Sequence, residues 1–308
     1  MKRNYLATLM VSEVSLHFGI NQKITNNAKR KFLYVLLGFI ILPIILYKAF
    51  YKFKIPYIEI AVTAKCNLKC EGCSNLMPYY KSPGHVDITL VKRTINTLLQ
   101  ASREITIMKF IGGEPFLYDN LYLAVEQASG SEAVRNIEIT TNGTILPKER
   151  NLECLKNDKI KLIISEYPAV SSKRLIELLE ENQVKYETRQ FENWEDYGDL
   201  CKRGYSEKDL RRSFRFCASA ECKTVYMDSL YTCPRSAHGR ALGLIPVQGA
   251  EENGREDSVN LISTPKKDLR RKIRGLYAVP YVQACDYCNA AWERKMIESG
   301  KQKCIIFL

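Results

Sequence analysis

Three cysteines stand close enough in the sequence to bind one inorganic centre. Cys66, Cys70 and Cys73 lie in TAKCNLKCEGCSN, a CxxxCxxC spacing directly after a predicted strand. Thiolates are the ligands that zinc and iron–sulfur clusters prefer, and Gly72 lets the backbone approach such a centre closely. The next cysteine, Cys154, is far along the chain. The loop therefore supplies three ligands and leaves one metal position open, which is typical of a catalytic site. Zinc with three thiolates and a water is the alternative.

Five further cysteines occur together in the last third of the chain, mostly near turns. They are Cys217, Cys222, Cys233, Cys285 and Cys288. So many thiols in one small region are poorly explained as apolar core residues. Tetrahedral sulfur coordination indicates either zinc or an iron–sulfur cluster. These five cysteines are therefore candidate ligands of a second metal site.

Short β-rich stretches alternate with helical ones from residue 57 to residue 189. Strands are predicted at 57–62, 104–111, 136–141, 161–165 and 184–189, and helices near 89–101, 119–129, 148–156 and 171–182. This alternation favours parallel βαβ units, and hence a wound sheet or a barrel. Residues 192–212 carry many charges without a clear period and are predicted to be a loop.

Two more motifs follow the second and third predicted strands. Gly112-Gly113-Glu114-Pro115 comes after the second and Thr140-Thr141-Asn142-Gly143 after the third. The carboxyl ends of barrel strands are where sites form, and adjacent glycines expose backbone groups. With the cysteine loop, these motifs resemble the radical S-adenosylmethionine enzymes over roughly residues 57–245.

The resemblance implies an α/β fold, a partial (β/α)6 TIM-like barrel with a small Cys-rich C-terminal extension. It implies a 4Fe–4S cluster on Cys66, Cys70 and Cys73, whose fourth iron binds S-adenosylmethionine. One electron would cleave this cofactor to methionine and a 5′-deoxyadenosyl radical, which abstracts a hydrogen atom from the substrate. The residues expected beside the cofactor are Gly112, Gly113, Glu114, Pro115, Asn142, Gly143 and Ser165.

The second cysteine set resembles the C-terminal auxiliary-cluster regions called SPASM and twitch. Their pattern has a glycine five residues before a cysteine, where this chain has Asp228 before Cys233. Asp tolerates a left-handed turn better than most residues. The resemblance implies one auxiliary 4Fe–4S cluster on four of the five cysteines, of which Cys233 is the best supported and the other three are left open, with structural zinc as the alternative. No role is predicted for Cys154, Cys201, Cys304 or the isolated His17, His85 and His238.

The net charge of +12 is concentrated near the N-terminus. Residues 1–54 contain nine Lys or Arg and one Glu, which leaves a net +4 on the remainder. A nucleic-acid enzyme would spread its cations over the folded body, so nucleic acid is not an expected partner. The cations instead flank the apolar segment 32–51, which predicts a membrane-anchor helix. Its short length and Pro43 leave a spanning, re-entrant or in-plane geometry open.

These observations predict three regions. They are a basic N-terminal segment at 1–55, a barrel core at 56–212 and a Cys-rich region at 213–308. The eleven cysteines without an export signal favour metal ligation in a reducing compartment over disulfides. We therefore expect the chain on the cytoplasmic side of a membrane.

The substrate follows less directly. The phrases CSNLMPYY, ISEYP and CDYC resemble radical S-adenosylmethionine proteins found near polysaccharide and glycosyltransferase genes. A sugar, polyol or lipid-linked glycan is therefore the expected substrate, with a reductant such as flavodoxin or ferredoxin. A peptide-modifying enzyme is the alternative, and a non-catalytic iron–sulfur protein is a further one.

Overall fold

The structure is a computed structural model of the 308-residue chain. It describes residues 53–246 and 257–303, together with Tyr34, Leu37 and Gly38. The chain divides into two compact units, Met1–Lys52 and Phe53–Leu308. The architecture below is that of the second unit.

An eight-stranded sheet forms the centre of this unit, and a two-stranded sheet lies apart from it. The strands in chain order are β1 (Lys54–Ala61), β2 (Glu104–Ile111), β3 (Val134–Thr141), β4 (Ile160–Glu166), β5 (Tyr186–Gln190), β6 (Asn193–Glu195), β7 (Thr224–Tyr226), β8 (Ser229–Tyr231), β9 (Ser258–Asn260) and β10 (Met296–Glu298). The large sheet has the order β5-β4-β3-β2-β1-β7-β8-β9, and β6 pairs with β10.

Seven α-helices accompany these strands in the described ranges. They are α1 (Ile88–Ala101), α2 (Leu121–Ser129), α3 (Glu149–Cys154), α4 (Lys173–Glu181), α5 (Glu207–Arg215), α6 (Pro234–Ala241) and α7 (Lys266–Leu276). Helix α1 shows how the sequence defines them. Its N-cap Asp87 accepts a hydrogen bond from the Leu90 amide at 3.1 Å, and Val91, Ile95 and Leu98 repeat at helical spacing on its buried face.

The parallel arrangement confirms the predicted fold class, a partial TIM-like barrel. Strands β1 to β5 are parallel neighbours in sequence order, each joined to the next through a helix. The sixth parallel strand, β7, pairs with β1 rather than continuing beyond β5. Strands β8 and β9 then extend the sheet in antiparallel fashion. Part of the Cys-rich region thus shares a sheet with the barrel core.

The two faces of the sheet differ in chemistry. Ile58, Met108 and Phe110 belong to the buried apolar core, and so do the alternate positions on neighbouring strands. The opposite face carries Glu59 and Lys109, which are register partners on β1 and β2. Since successive strand residues point to opposite faces, the helices pack on the apolar face and these charged side chains point to the barrel interior.

Residues 192–212 are not a loop throughout, so that prediction was wrong. Residues 193–195 form β6, and α5 begins at 207 after its N-cap Ser206, whose hydroxyl accepts from the Asp209 amide. The helix carries acidic residues in its first turn and basic ones in its last, which complements the helix dipole. These charges conceal the apolar period on which the sequence prediction relied.

The predicted anchor segment 32–51 lies outside the described residues apart from Tyr34, Leu37 and Gly38, which are helical. Among the residues that the structure describes, no helix combines the length and apolarity needed to cross a membrane.

Candidate functional site

The cysteine loop begins where β1 ends, at the carboxyl edge of the parallel strands. Cys70 is buried, while Cys66 and Cys73 are partly buried. The Cys66 sulfur accepts a hydrogen bond from the Leu68 amide at 3.4 Å. Thr63, two residues after β1, accepts from the Lys65 amide through its hydroxyl at 3.0 Å. The loop is therefore held by its own short-range hydrogen bonds before any partner strand contributes.

Gly112 and Gly113 bring the end of β2 directly against this loop. The Gly113 amide donates to the Thr63 carbonyl at 2.8 Å, and the Glu114 amide donates to the Lys65 carbonyl at 2.8 Å. A Cβ at Gly113 would overlap the Lys65 carbonyl oxygen and lie 2.9 Å from the Cys66 Cβ. The glycine pair is thus required by close backbone approach.

Glu114 joins the ends of β2 and β3. Its carboxylate accepts from the Thr141 hydroxyl at 2.8 Å and from the Asn142 amide at 2.9 Å. It also accepts from the Phe116 amide at 3.1 Å. Burial raises the pKa of Glu114 to about 7, against the effect of these three donors. The side chain is fully buried and accepts three hydrogen bonds, so it holds the TTNG motif in position against the end of β2.

Asn142 lies next to the first cysteine. Its side-chain nitrogen, Nδ2, is 4.0 Å from the Cys66 sulfur and donates a hydrogen bond to the Asn67 side-chain oxygen at 3.1 Å. Gly143 follows with a φ of 77°, and a Cβ there would lie 2.6 Å from the Ser172 Cβ. Ser165 is buried at the end of β4 on the same edge of the sheet. The structure thus brings the predicted GGEP, TNG and Ser165 positions to the edge that carries the cysteine loop.

A segment from the far end of the described chain covers the cysteine loop. The Glu71 amide donates to the Lys301 carbonyl at 2.8 Å, and the Lys303 amide donates to the Lys69 carbonyl at 2.7 Å. The Gln302 side chain donates to the Cys70 sulfur at 3.5 Å. Gln302 is therefore a direct partner of a predicted cluster ligand, and nothing in the local sequence indicates it.

The three thiols of the loop have the chemistry of metal ligands. Burial raises the pKa of Cys66 to about 12, with smaller contributions from the charges of Glu114, Cys73 and Cys70. Burial also raises the pKa of Cys70 and of Cys73. The thiols are therefore protonated at neutral pH without a metal and must lose protons when one binds. Among the described residues, no three Cys, His, Asp or Glu side chains converge as they would on a single metal ion.

Four of the five cysteines of the second set line one cavity. They are Cys217, Cys233, Cys285 and Cys288. Burial raises the pKa of Cys233 to about 12 and the pKa of Cys285 well above its usual value, and in both cases neighbouring cysteines contribute. Cys233 is the N-cap of α6, and the other three come from two separate segments. The fold therefore assembles a four-thiol wall.

Cys222 is not part of that wall. Burial raises the pKa of Cys222 to about 12, and the charge of Glu59 in the barrel interior makes a smaller contribution in the same direction. Asp228, which replaces the pattern's glycine, does not adopt the left-handed conformation expected for it. Its neighbour Met227 does, with a φ of 54°, because the β7–β8 turn places the strained position one residue earlier.

Of the other cysteines, Cys154 donates to the Asn151 carbonyl on α3, Cys201 is exposed, and Cys304 lies outside the described residues. His238 does have a specific partner. Its Nδ1 lies 2.9 Å from the Tyr80 hydroxyl, and burial lowers the pKa of His238 to about 3. This contact links the cysteine loop to α6, and the sequence offered no signal for it.

With this geometry in view, the sequence comparison is decisive. The profile of the Radical SAM superfamily matches residues 60–228, more than half of the chain. The chain belongs to the radical SAM superfamily. It is an enzyme of that superfamily, whose cofactors are a 4Fe–4S cluster and S-adenosylmethionine.

Curated relatives match over a shorter stretch. The GTP 3′,8-cyclase of Thermodesulfovibrio yellowstonii is 30% identical over 100 residues, which are 30% of this chain and 30% of the relative. The GTP 3′,8-cyclase of Clostridium acetobutylicum is 34% identical over 96 residues, 30% of this chain and 29% of the relative. This radical SAM chain thus spans about a third of the length of these relatives.

A solved structure shares the fold over most of the chain. BtrN, in a complex with AdoMet and 2-DOIA, has a TM-score of 0.51 at 19% sequence identity. The similarity covers 76% of this chain and 93% of BtrN. It shows that the two chains share a fold over this part.

Proposed function

We propose that Cys66, Cys70 and Cys73 hold the 4Fe–4S cluster of this radical SAM enzyme. When bound, the cluster supplies the electron that cleaves S-adenosylmethionine and starts hydrogen-atom abstraction. The carrying observation is the cysteine loop, which places three thiols at the edge of the sheet where the glycine pair follows β2 and Asn142 follows β3. Within the described residues, the side chains that donate hydrogen bonds to these sulfurs are the amides of Asn142 and Gln302, and amide nitrogens are not ligands that iron–sulfur clusters prefer.

The chain's own residues then have separate roles. The backbone of Gly112 and Gly113 and the Asn142 side chain border the open side of the loop, where they can bind the polar end of the cofactor. Glu114 positions Asn142 through its amide and Thr141 through its hydroxyl. Gln302 holds Cys70 from the opposite side.

Anaerobic reconstitution with iron and sulfide tests this proposal. The reduced chain should form 5′-deoxyadenosine from S-adenosylmethionine, and Cys66→Ala should not. Cys154→Ala, in which the removed thiol bonds only within α3, is the matched control and should retain activity. Equal product from the unsubstituted chain and Cys66→Ala would disprove the assignment.

We further propose an auxiliary 4Fe–4S cluster on Cys217, Cys233, Cys285 and Cys288. These four thiols line one cavity, whereas Cys222 borders Glu59. Substituting the three first-loop cysteines by alanine isolates this site. Retained iron and sulfide would support the cluster, and zinc alone would show a structural metal.

The substrate we propose is a polyhydroxylated ring such as a sugar or polyol, free or lipid-linked. Support comes from a row of charged register partners across the barrel interior, namely Glu59, Lys109, Glu138 and Lys161. Glu59 accepts from Tyr57 at 2.7 Å and from Thr224 at 3.2 Å. Alternating donors and acceptors on a polar wall suit hydroxyl groups better than apolar ones.

Thr140 strengthens this interpretation. It lies two residues beyond Glu138 on the same strand, and therefore on the same face of the sheet. Its hydroxyl is buried and has no hydrogen-bond partner among the described residues. A buried hydroxyl without a partner costs roughly 1–3 kcal/mol, so a ligand that bonds to it would recover part of that cost.

Deuterium transfer tests the substrate class. Perdeuterated sugars and polyols are incubated with the reconstituted enzyme, in parallel with deuterated peptides, and deuterium in 5′-deoxyadenosine is measured by mass spectrometry. Transfer from a polyol should fall about tenfold in Glu59→Gln, equivalent to about 1.4 kcal/mol. Exposed Glu153→Gln should leave it unchanged. Transfer from peptides alone would favour a peptide-modifying enzyme.

For localisation, we propose that the basic segment with its apolar stretch 32–51 binds the cytoplasmic face of a membrane. The excess of Lys and Arg around that stretch supports this, because such clusters bind anionic headgroups. In flotation with vesicles containing phosphatidylserine, the full chain should float. A variant with Lys29, Arg30 and Lys31 changed to Gln should float less at moderate salt. Equal flotation with neutral vesicles would contradict the electrostatic part.

A further inference from the structure

Three arginines near the second cysteine set are almost fully buried, and one of them is unusual. Arg240 pairs with Asp257 at 2.9 Å, and Arg294 pairs with Glu195 at 2.7 Å. Arg235 is 3% exposed, and no carboxylate of the described residues forms an ion pair with it. Burying a cation without an opposing charge costs several kcal/mol. A bound anion would therefore stabilise Arg235, and the described side chains do not provide one.

Arg235 lies between the two cysteine sets. It is the second residue of α6, directly after Cys233 and Pro234. It lines the four-thiol cavity and also a cavity bordered by Cys70 and Cys73 of the first loop. The same side chain therefore borders both predicted metal sites.

Backbone carbonyls fix the guanidinium in this position. Its Nη2 donates to the carbonyls of Gly198 at 2.9 Å and Asp199 at 3.3 Å. Its Nε is buried and has no hydrogen-bond partner within residues 53–246 and 257–303. The Nε donor thus remains available to an acceptor at these sites.

We propose that Arg235 is a positioning residue shared by the two metal sites, a buried cation that favours the reduced form of both clusters. The inference rests on the proposed function, in which both cysteine sets hold 4Fe–4S clusters. A thiolate-bound cluster is an anion and gains a further negative charge when it is reduced. A fixed cation in a low-dielectric site therefore raises its reduction potential.

The other two buried arginines provide matched controls. Arg294 places Nη1 and Nη2 each 3.6 Å from the Cys217 sulfur, so it borders the second set. Arg240 bonds to Asp257 and Gln283 and lines neither cavity. The three residues share charge and burial but differ in the cysteines that they face.

The experiment is a potentiometric titration of the reconstituted full chain, followed by electron paramagnetic resonance. In Arg235→Gln, the equilibrium constant for reduction should fall about tenfold at both clusters, which is about 59 mV for one electron. Arg294→Gln should lower the potential of the second cluster alone. The double variant Arg240→Gln/Asp257→Asn, which removes both partners of a buried pair, should change neither potential.

Arg235→Lys separates charge from folding. It keeps the cation and should load both clusters with potentials closer to the unsubstituted values than those of Arg235→Gln. If Arg235→Gln does not take up clusters, Arg235→Lys becomes the test of the positive charge. Failure of Arg235→Lys to take up the clusters would then contradict a role of the charge. Unchanged potentials in Arg235→Gln, or a change at one cluster only, would overturn the proposal. An unsubstituted chain that takes up no cluster would instead refute the proposed function, and the inference with it.

Discussion

The two cysteine sets are built in opposite ways. The first places three thiols within residues 66–73, on one loop that follows one strand. The second gathers four thiols from three separate segments, with Cys217 before a short 3-10 helix, Cys233 capping α6, and Cys285 and Cys288 near the end of the described chain. The first set is thus encoded locally, whereas the second exists only once the tertiary fold has formed.

Removing one cysteine from each set has the largest expected effect and tests whether the two sites form independently. Cys66→Ala should reduce 5′-deoxyadenosine formation to the level of a protein-free control while the second cluster remains. Cys233→Ala should remove the second cluster while the first remains, because the two sets lie on different segments. Iron and sulfide analysis with electron paramagnetic resonance measures both. Loss of both clusters in either variant would show that the sites form together.

A backbone variant tests the local construction of the first site. In Gly113→Ala, the new Cβ would overlap the Lys65 carbonyl, so the cysteine loop must move. We expect at least a tenfold loss of bound first cluster, measured as iron per chain with the second site blocked by Cys233→Ala. Gly275→Ala is the control, because its Cβ meets no atom within 4 Å. This helical position should gain about 0.5–1 kcal/mol of unfolding free energy. Equal iron in both variants would contradict the close-approach argument.

A pH dependence sharpens the role of Glu114. Burial raises its pKa from 4.5 to about 7 in the folded chain. The stabilisation linked to its protonated form is therefore fully present below about pH 4.5 and is lost as the pH rises through about 7. As the pH rises over this range, the unfolding free energy of the unsubstituted chain should therefore fall relative to that of Glu114→Gln. Urea unfolding of both chains at several pH values measures this difference. If the difference does not change with pH, the pKa of Glu114 is not raised in the folded chain.

The smallest effect concerns the second region. Met227 is 45% exposed and adopts a left-handed conformation that glycine takes without strain. Met227→Gly should raise the unfolding free energy by about 0.5 kcal/mol, since relief of strain is partly offset by unfolded-state entropy. Asp228→Gly, at a position without positive φ, should not. Stabilisation by Asp228→Gly instead would place the strained residue where the family pattern has it.

Local features of the fold could be predicted from the sequence. Strands β1 to β5 were predicted from short β-rich stretches that alternate with helical ones, and cysteine or glycine motifs marked the loops after the first three. The GGEP and TNG positions meet the cysteine loop because parallel strands end at the same edge, which follows from topology alone.

Long-range contacts could not be predicted. Gln302 contacts Cys70 across 232 residues, and Tyr80 contacts His238 across 158 residues. No period or spacing in one sequence specifies such pairs, so the choice among the five late cysteines also had to await the fold. Arg235 had a weak signal in its position beside Cys233, but its place between both sites depends on how α6 packs.

The cover over the first cysteine loop has a consequence for biosynthesis. Lys69 and Gln302, which are 233 residues apart, are joined by a hydrogen bond. At roughly 5–20 residues per second, a ribosome needs about 10–50 s to translate that interval. The nascent loop therefore emerges long before its cover does, which leaves a period in which iron-delivery factors can reach the thiols from a side that the mature protein later shields.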